Sequence, residues 1–139
     1  MTFPYNAHTD VLRNIKVKWH YPKWSPENDF QKEIMDDLKL RWWFVYHIED
    51  TSWQSRLLDL YTITPDGKEI WMELKVIDIF TFNLSRFETD QVKFMLRREK
   101  FNLPTYVMIF SKRTNTYVLT TYRELLDKAD NRNWIKLFS

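Results

Sequence analysis

Residues 59–75 read DLYTITPDGKEIWMELK, and this stretch decides the fold. Two runs rich in β-branched and aromatic residues, 57–64 and 68–77, predict two strands. Pro65, Asp66 and Gly67 between them fit a type I turn that is closed by a glycine in the left-handed conformation. The stretch therefore predicts an antiparallel β-hairpin, with the only glycine of the chain in its turn.

The expected register of this hairpin brings two carboxylates together. If Thr64 pairs with Lys68, counting outward along the ladder places Asp59 opposite Glu73. Directly opposed side chains point to the same face, with Cβ atoms about 4.5–5.5 Å apart. Lys75 shares that face because side chains alternate along a strand. We therefore expect two carboxylates and one lysine on a single patch.

This patch has the chemistry of a metal site. Opposed like charges are destabilising, and a divalent cation would offset that cost. Mg²⁺ typically binds through one or two carboxylates plus substrate phosphates, so Asp59 and Glu73 are candidate ligands and the Leu74 carbonyl is a further one. Mn²⁺ is expected to substitute. Lys75 could orient or deprotonate a water, or stabilise a phosphate oxygen, which predicts metal-assisted phosphodiester hydrolysis.

The alternative is a solvated strand face with an ordinary Glu–Lys neighbour pair. The hairpin is apolar on both faces, which is typical of strands covered on both sides. A charge in such a setting is costly unless it is paired or metal-bound. One face is expected to carry Leu57, Tyr61, Ile63 and Trp71, and the other Leu58, Leu60, Ile70, Met72, Leu74 and Val76.

The rest of the chain predicts three helices and three more strands. Ser25 followed by Pro26 marks the start of a helix that ends near Leu40. Capping boxes predict helices that begin at Ser85 and at Thr121. Strands are expected over 42–48, 104–110 and 116–120. The order is helix, three strands, helix, two strands, helix.

Residues 1–25 are expected to form an N-terminal arm, and residues 26–139 a single domain. The arm carries two prolines and five aromatic residues, which predicts an irregular lead-in. It could pack on the body of the protein, stack on nucleic acid or cross to another subunit.

Composition excludes several classes of site. The chain of 139 residues has no cysteine, which excludes disulfides, thiolate zinc sites and cysteine nucleophiles. A single glycine excludes phosphate-binding and dinucleotide-binding glycine motifs and a nucleophile elbow. Three histidines argue against a multi-histidine metal centre, and a net charge of +2 is weak evidence for any partner. No membrane span or signal peptide is evident, so a cytoplasmic location is expected.

Asp59, followed after the hairpin by Glu73-Leu74-Lys75, resembles the motif of the PD-(D/E)XK nuclease superfamily. The surrounding elements are similar to its helix–three strands–helix–strand core over roughly residues 28–120. The resemblance implies an α/β fold with a central mixed sheet flanked by helices. One departure is Leu58, which stands where the motif has proline.

Within the superfamily, the chain is most similar to Holliday-junction resolvases of the RecU and archaeal types. Residues 71–75, 82–84 and 87–95 carry this resemblance, and virus-type replication-repair nucleases are close behind. It implies a Mg²⁺-dependent endonuclease acting on branched DNA. Symmetric cutting of two strands would require a homodimer. The alternatives are a nuclease for flap or linear DNA, a catalytically silent nucleic-acid-binding protein and a structural or partner-binding domain.

The resemblance also implies roles for further polar residues. Gln91 would lie beside Lys75 and orient water or phosphate, the alternative being a satisfied core amide. Glu33 would lie near the metal, the alternative being a solvated helix face. The resemblance places substrate contacts at Ser52, Ser55 and Arg56.

Other candidates rest on residue type alone. Basic residues outnumber acidic ones from 93 to 113, and this excess could track phosphates or simply be solvated. The candidate phosphate contacts are Lys93, Arg97, Lys112 and Arg113. Trp53 could stack on a base or anchor its own loop. His47 could contact phosphate or a second metal, although a lone histidine is more often structural.

Overall fold

The structure, a computed structural model, describes residues 7–17, 26–48 and 58–139. The strands of these residues are β1 (Phe44–His47), β2 (Leu60–Ile63), β3 (Glu69–Ile77), β4 (Thr81–Asn83), β5 (Thr105–Ser111), β6 (Thr116–Thr120) and β7 (Trp134–Lys136). The helices are α1 (Ala7–Arg13), α2 (Pro26–Leu40), α3 (Thr89–Lys100) and α4 (Tyr122–Lys128).

The central sheet is mixed, as predicted. Its five described strands lie in the order β1-β2-β3-β5-β6. Only the β3–β5 pair among them is parallel, and α3 lies in the connection between these two strands. Parallel neighbours need such a crossover, whereas a tight turn suffices for the antiparallel β2–β3 pair.

The β2–β3 turn has the predicted form. Thr64 N donates to the Lys68 carbonyl at 2.9 Å, and Gly67 N donates to the Thr64 carbonyl at 2.9 Å. Gly67 has a φ of +88°, a left-handed conformation that glycine adopts without a Cβ penalty. The turn fixes the register on which the site depends.

Helix α3 is capped by Glu88, three residues after the predicted cap at Ser85. The Ser85 start is wrong because Asn83 accepts a hydrogen bond from Ser85 N and caps a short 3-10 helix, Leu84–Arg86. Phe87 is then extended and buried. The start of α2 at Pro26 is confirmed, as is the Thr121 cap of α4, where Thr121 Oγ1 accepts from Glu124 N.

Two apolar cores lie on opposite faces of the sheet. On one face, Phe30, Ile34 and Leu38 of α2 are fully buried against the sheet. The other core joins α3, α4 and the two-stranded sheet formed by β4 and β7. Leu58 belongs to this second core, so its predicted face is wrong, because it precedes the regular part of β2. Leu57 lies outside the described residues.

The described part of the N-terminal arm packs on the body. Residues 7–13, expected to be irregular, form α1, and Leu12 and Ile15 are buried in the first core. Tyr117 Oη donates to the Leu12 carbonyl at 2.6 Å and accepts from Ile15 N at 3.0 Å. His8 Nε2 lies 2.7 Å from Tyr106 Oη. Residues 1–6 and 18–25 lie outside the described residues.

The C-terminal tail docks on the body through a strand that the sequence does not predict. Ile135 and Phe138 are buried in the second core, and β7 pairs antiparallel with β4. In the part of the chain that the structure describes, no helix is long and apolar enough to cross a membrane.

Candidate active site

Asp59 and Glu73 interlock across the β2–β3 hairpin. Leu60 pairs with Met72, so the same register sets Asp59 opposite Glu73. Asp59 N donates to Glu73 Oε1 at 3.1 Å, and Leu74 N donates to Asp59 Oδ2 at 2.9 Å. Each carboxylate therefore accepts a backbone hydrogen bond from the opposite strand. The predicted proximity of the two side chains is confirmed.

Lys75 and Gln91 meet on the other oxygen of Glu73. Lys75 Nζ lies 3.1 Å from Glu73 Oε2, and Gln91 Nε2 donates to the same oxygen at 3.0 Å. Lys75 Nζ also lies 5.8 Å from the centroid of the Phe87 ring. Four predicted site residues thus form one cluster, with Glu73 at its centre.

Gln91 is oriented by the start of α3. Its Oε1 accepts from Glu88 N at 3.1 Å, which leaves Nε2 directed at Glu73. The Glu88 side chain in turn accepts from the Gln91 backbone, which completes a capping box. Gln91 is therefore a satisfied amide and a member of the cluster at once. The role of Glu88 was missed because the usual capping signal has serine or threonine at the cap position, which glutamate occupies here.

Burial dominates the electrostatics of the cluster. Glu73 is 1% exposed. Its burial, reinforced by the nearby Asp59 carboxylate, raises the pKa of Glu73 from 4.5 to about 8, while Lys75 acts in the opposite direction. Desolvation disfavours a charged carboxylate, and a second carboxylate disfavours it further. Additional positive charge at this point would stabilise the ionised form.

The chemistry of this donor set fits a hard divalent cation. Two acidic side chains meet at a nearly dry position, and one of them has a raised pKa that a cation would lower. Mg²⁺ needs no more than one or two protein carboxylates when water and substrate phosphate complete its octahedron. Asp59 and Glu73 would hold it, and the Leu74 carbonyl remains a predicted ligand.

Glu33 and His47 are not brought into this cluster. No group of three or more acidic, histidine or cysteine side chains suited to a metal occurs among the described residues. Glu33 lies on α2, the helix that packs on the first core. His47 pairs with Leu60, whose side chain belongs to that same core, so His47 points to the face opposite Glu73. Spacing along the chain could not reveal these faces.

The predicted substrate contacts divide into two groups. Ser52, Trp53, Ser55 and Arg56 lie outside the described residues. Lys93 and Arg97 are exposed on α3, whereas Lys112 and Arg113 lie in the β5–β6 turn.

The basic side chains between 93 and 113 also differ in their partners. Lys112 Nζ pairs with Asp78 Oδ1 at 2.5 Å, and the Arg113 guanidinium lies 5.9 Å from the centroid of the Phe80 ring. Arg98 is buried and donates to Thr105 Oγ1 at 2.6 Å, so it fastens α3 to β5 rather than facing solvent.

Comparison with known proteins supports the fold at the level of structure. No protein-family model matches the chain, and no curated protein matches it significantly in sequence. The structure is similar to that of Hjc, a Holliday junction resolvase from the archaeal hyperthermophile Archaeoglobus fulgidus. The TM-score is 0.57 at 13% sequence identity, covering 77% of this chain and 84% of Hjc. The chain therefore shares the mixed α/β fold of Hjc, with a central sheet flanked by helices.

Proposed function

We propose that this protein is a Mg²⁺-dependent DNA endonuclease that hydrolyses phosphodiesters in branched DNA, with the Holliday junction as its substrate. The observation that carries the proposal is the cluster on Glu73, where Asp59, Lys75 and Gln91 all contact one buried carboxylate. The fold shared with Hjc supports the same conclusion.

Each residue of the cluster has a defined task in this proposal. Asp59 and Glu73 hold the cation, which supplies charge stabilisation at the scissile phosphate and lowers the pKa of water. Mn²⁺ can take the same place. Lys75, whose Nζ already lies 3.1 Å from Glu73, orients the attacking water or stabilises a phosphate oxygen. Gln91 fixes the direction of the Glu73 carboxylate through its own hydrogen bond.

DNA contacts are proposed at three places along the chain. Ser52, Trp53, Ser55 and Arg56, which lie outside the described residues, are proposed on the evidence of the sequence alone. Lys93 and Arg97 supply exposed positive charge on α3. Lys112 and Arg113 supply it at the β5–β6 turn. Neutralising phosphates in this way gives affinity without sequence preference.

Cutting a four-way junction symmetrically needs two active sites related by a two-fold axis. A homodimer provides them, since its symmetry matches that of the junction. We therefore propose a homodimer as the acting species, and sedimentation of the free protein tests this part directly.

The test of substrate class is cleavage of four labelled DNAs in Mg²⁺: a four-way junction, a flap, a duplex and a single strand. Paired symmetric cuts in the junction support a resolvase. Preferential cutting of the flap or linear DNA would keep the nuclease and overturn the resolvase. Binding without cutting of any DNA would identify a catalytically silent binder. Asp127→Asn is a matched control for substitutions of the cluster carboxylates. It removes an exposed carboxylate of α4, which is distant from Asp59 and Glu73 in the sequence.

A further inference from the structure

A strip of aromatic side chains crosses the sheet face that carries Glu73. We call Phe44, Tyr46, Tyr61, Trp71 and Phe94 the aromatic strip. Ring centroids lie 6.4 Å apart for Phe44 and Tyr61, 5.2 Å for Tyr61 and Trp71, and 5.0 Å for Trp71 and Phe94. Tyr46 pairs with Tyr61 in the β1–β2 register. The strip therefore runs continuously from β1 to α3.

The aromatic strip borders the carboxylate pair. Tyr61 lies two residues after Asp59, and Trp71 lies two residues before Glu73. Alternate residues of a strand share a face, so these rings stand beside the carboxylates along both strands. A nucleotide next to a scissile phosphate at the Asp59–Glu73 pair would therefore lie beside the strip.

Core packing does not account for the outer end of the strip. Phe44 is 54% exposed and Tyr46 is 56% exposed, although both are large aromatic residues on a strand. Trp71 and Phe94, by contrast, pack partly against the second core. The strip is thus partly buried at Trp71 and Phe94 and exposed at Phe44 and Tyr46, so it can serve as a stacking platform.

The rings of the inner part are held in place by polar groups. Tyr61 Oη donates to the Glu69 carboxylate. The Arg98 guanidinium lies 5.9 Å from the centroid of the Phe94 ring and is itself bonded to Thr105. A stack on such rings costs little ordering of the protein, because their positions are already fixed.

Exposed positive charge lies on the helix that carries Phe94. Lys93 and Arg97 are exposed and lie one helical turn apart on α3. Aromatic rings bordered by cations are the arrangement with which proteins bind single-stranded nucleic acid without sequence preference.

We propose that the aromatic strip binds unpaired nucleotides of the substrate, with their bases stacked on the rings and their phosphates facing Lys93 and Arg97. The inference rests on the proposed nuclease function and extends it: the nucleotides that the strip binds are those that unpair at the branch point, beside the scissile phosphate. A fully paired duplex cannot offer a base face to the rings.

The test compares a blunt duplex with a duplex that carries a single-stranded arm containing 2-aminopurine, both in EDTA so that binding is separated from cutting. The double variant Phe44→Ala/Tyr46→Ala should bind the armed duplex at least about fivefold more weakly and the blunt duplex within about twofold. Wild-type protein should change the 2-aminopurine emission, and the double variant should not.

Two further variants sharpen the comparison. Trp134→Ala removes an aromatic residue of similar exposure, 46%, from β7 and should leave both affinities unchanged. Lys93→Gln and Arg97→Gln should each lower the salt slope of arm binding by about 0.7, the value for one phosphate contact on a single strand.

Equal weakening of both DNAs by the double variant, or an unchanged emission, would overturn the inference. So would dissociation of a wild-type dimer by the double variant in sedimentation, because the strip would then be an interface with a second copy. If cutting depends on Glu73 but the strip variants lose the same affinity for the armed and the blunt duplex, the strip inference fails and the nuclease function stands. If no DNA is cut but arm binding depends on the strip, the nuclease function fails and the strip remains a nucleotide-binding surface.

Discussion

Glu73 is a buried carboxyl group, and its environment determines both its protonation state and its suitability as a metal ligand. Burial and the charge of Asp59 favour the protonated form, whereas Lys75 favours the ionised form. Without a cation, the folded state therefore holds a proton that the unfolded chain would release. Acids whose pKa is strongly raised by burial and a neighbouring charge cluster at functional sites.

This gives a prediction for stability against pH. Because the pKa of Glu73 is raised from 4.5 to about 8 on folding, the folded state binds more protons over that window. The metal-free protein should then lose stability as pH rises from about 4.5 to about 8. Glu73→Gln should remove this contribution. Urea denaturation across the window, run beside Asp127→Asn, measures it, and the same slope in wild type and Glu73→Gln would refute it.

At the residue scale, the sequence predicts the cluster well where a turn fixes the count. Gly67 identifies the turn, and the register then follows for Asp59, Glu73 and Lys75. Glu33 and His47 were beyond the same reasoning, since their faces depend on how α2 and β1 pack on the sheet. Local spacing carries no information about that packing.

At the scale of elements, the start of α3 connects helix stability to the site. The capping box satisfies two backbone donors of the first turn and at the same time holds the Gln91 amide toward Glu73. A change at Glu88 should therefore affect both folding and catalysis.

Glu88→Ala should lower the free energy of unfolding by about 1 kcal/mol, because it removes the side-chain half of the capping box. It should also reduce kcat more than KM changes, because a loosened helix start displaces the backbone N of residue 88 that holds the Gln91 amide. Glu88→Ser, which can still cap the helix, should recover most of the stability. Urea denaturation and cleavage kinetics measure the two effects, and a variant that matches wild type in both would contradict the coupling.

The elements themselves were predictable to different degrees. Caps and periodicity located α2, α4 and the hairpin, because these depend on neighbouring residues. The start of α3 was misplaced because Asn83 caps a short 3-10 helix, Leu84–Arg86, that precedes α3. Strands β4 and β7 have three residues each and are stabilised by pairing with one another. No local sequence pattern predicts a pairing between such distant segments.

At the scale of the whole molecule, α1 belongs to the fold rather than to a separate arm. The Tyr117 hydroxyl satisfies the Leu12 carbonyl and Ile15 N at once, and burial raises the pKa of Tyr117 to about 12. The hydroxyl thus stays neutral and keeps both hydrogen bonds through the physiological range.

Tyr117→Phe should cost about 1–3 kcal/mol of stability, because it leaves two backbone groups without their partner. Tyr122→Phe is the matched control, since the Tyr122 hydroxyl makes no hydrogen bond to the rest of the described chain. Thermal or urea denaturation measures both. Equal stability of the two variants would show that the hydrogen bonds of Tyr117 with Leu12 and Ile15 do not hold α1 on the body.

The carboxylate cluster lies on the β2–β3 pair, on the sheet face that carries the second core and α3. This placement allows a buried acid and an open surface to lie side by side. The overall architecture agrees with that of Hjc at only 13% identity.

The most direct test of this active site is cleavage of a labelled four-way junction by wild type, Glu73→Gln and Lys75→Met, each in Mg²⁺ and in EDTA. We predict that wild type cuts only with Mg²⁺ and that both variants lose at least about 100-fold in rate. Their far-UV circular dichroism should match that of wild type. Cutting by wild type in EDTA, or by correctly folded Glu73→Gln at the wild-type rate, would contradict the assignment of the Asp59–Glu73 cluster as the active site.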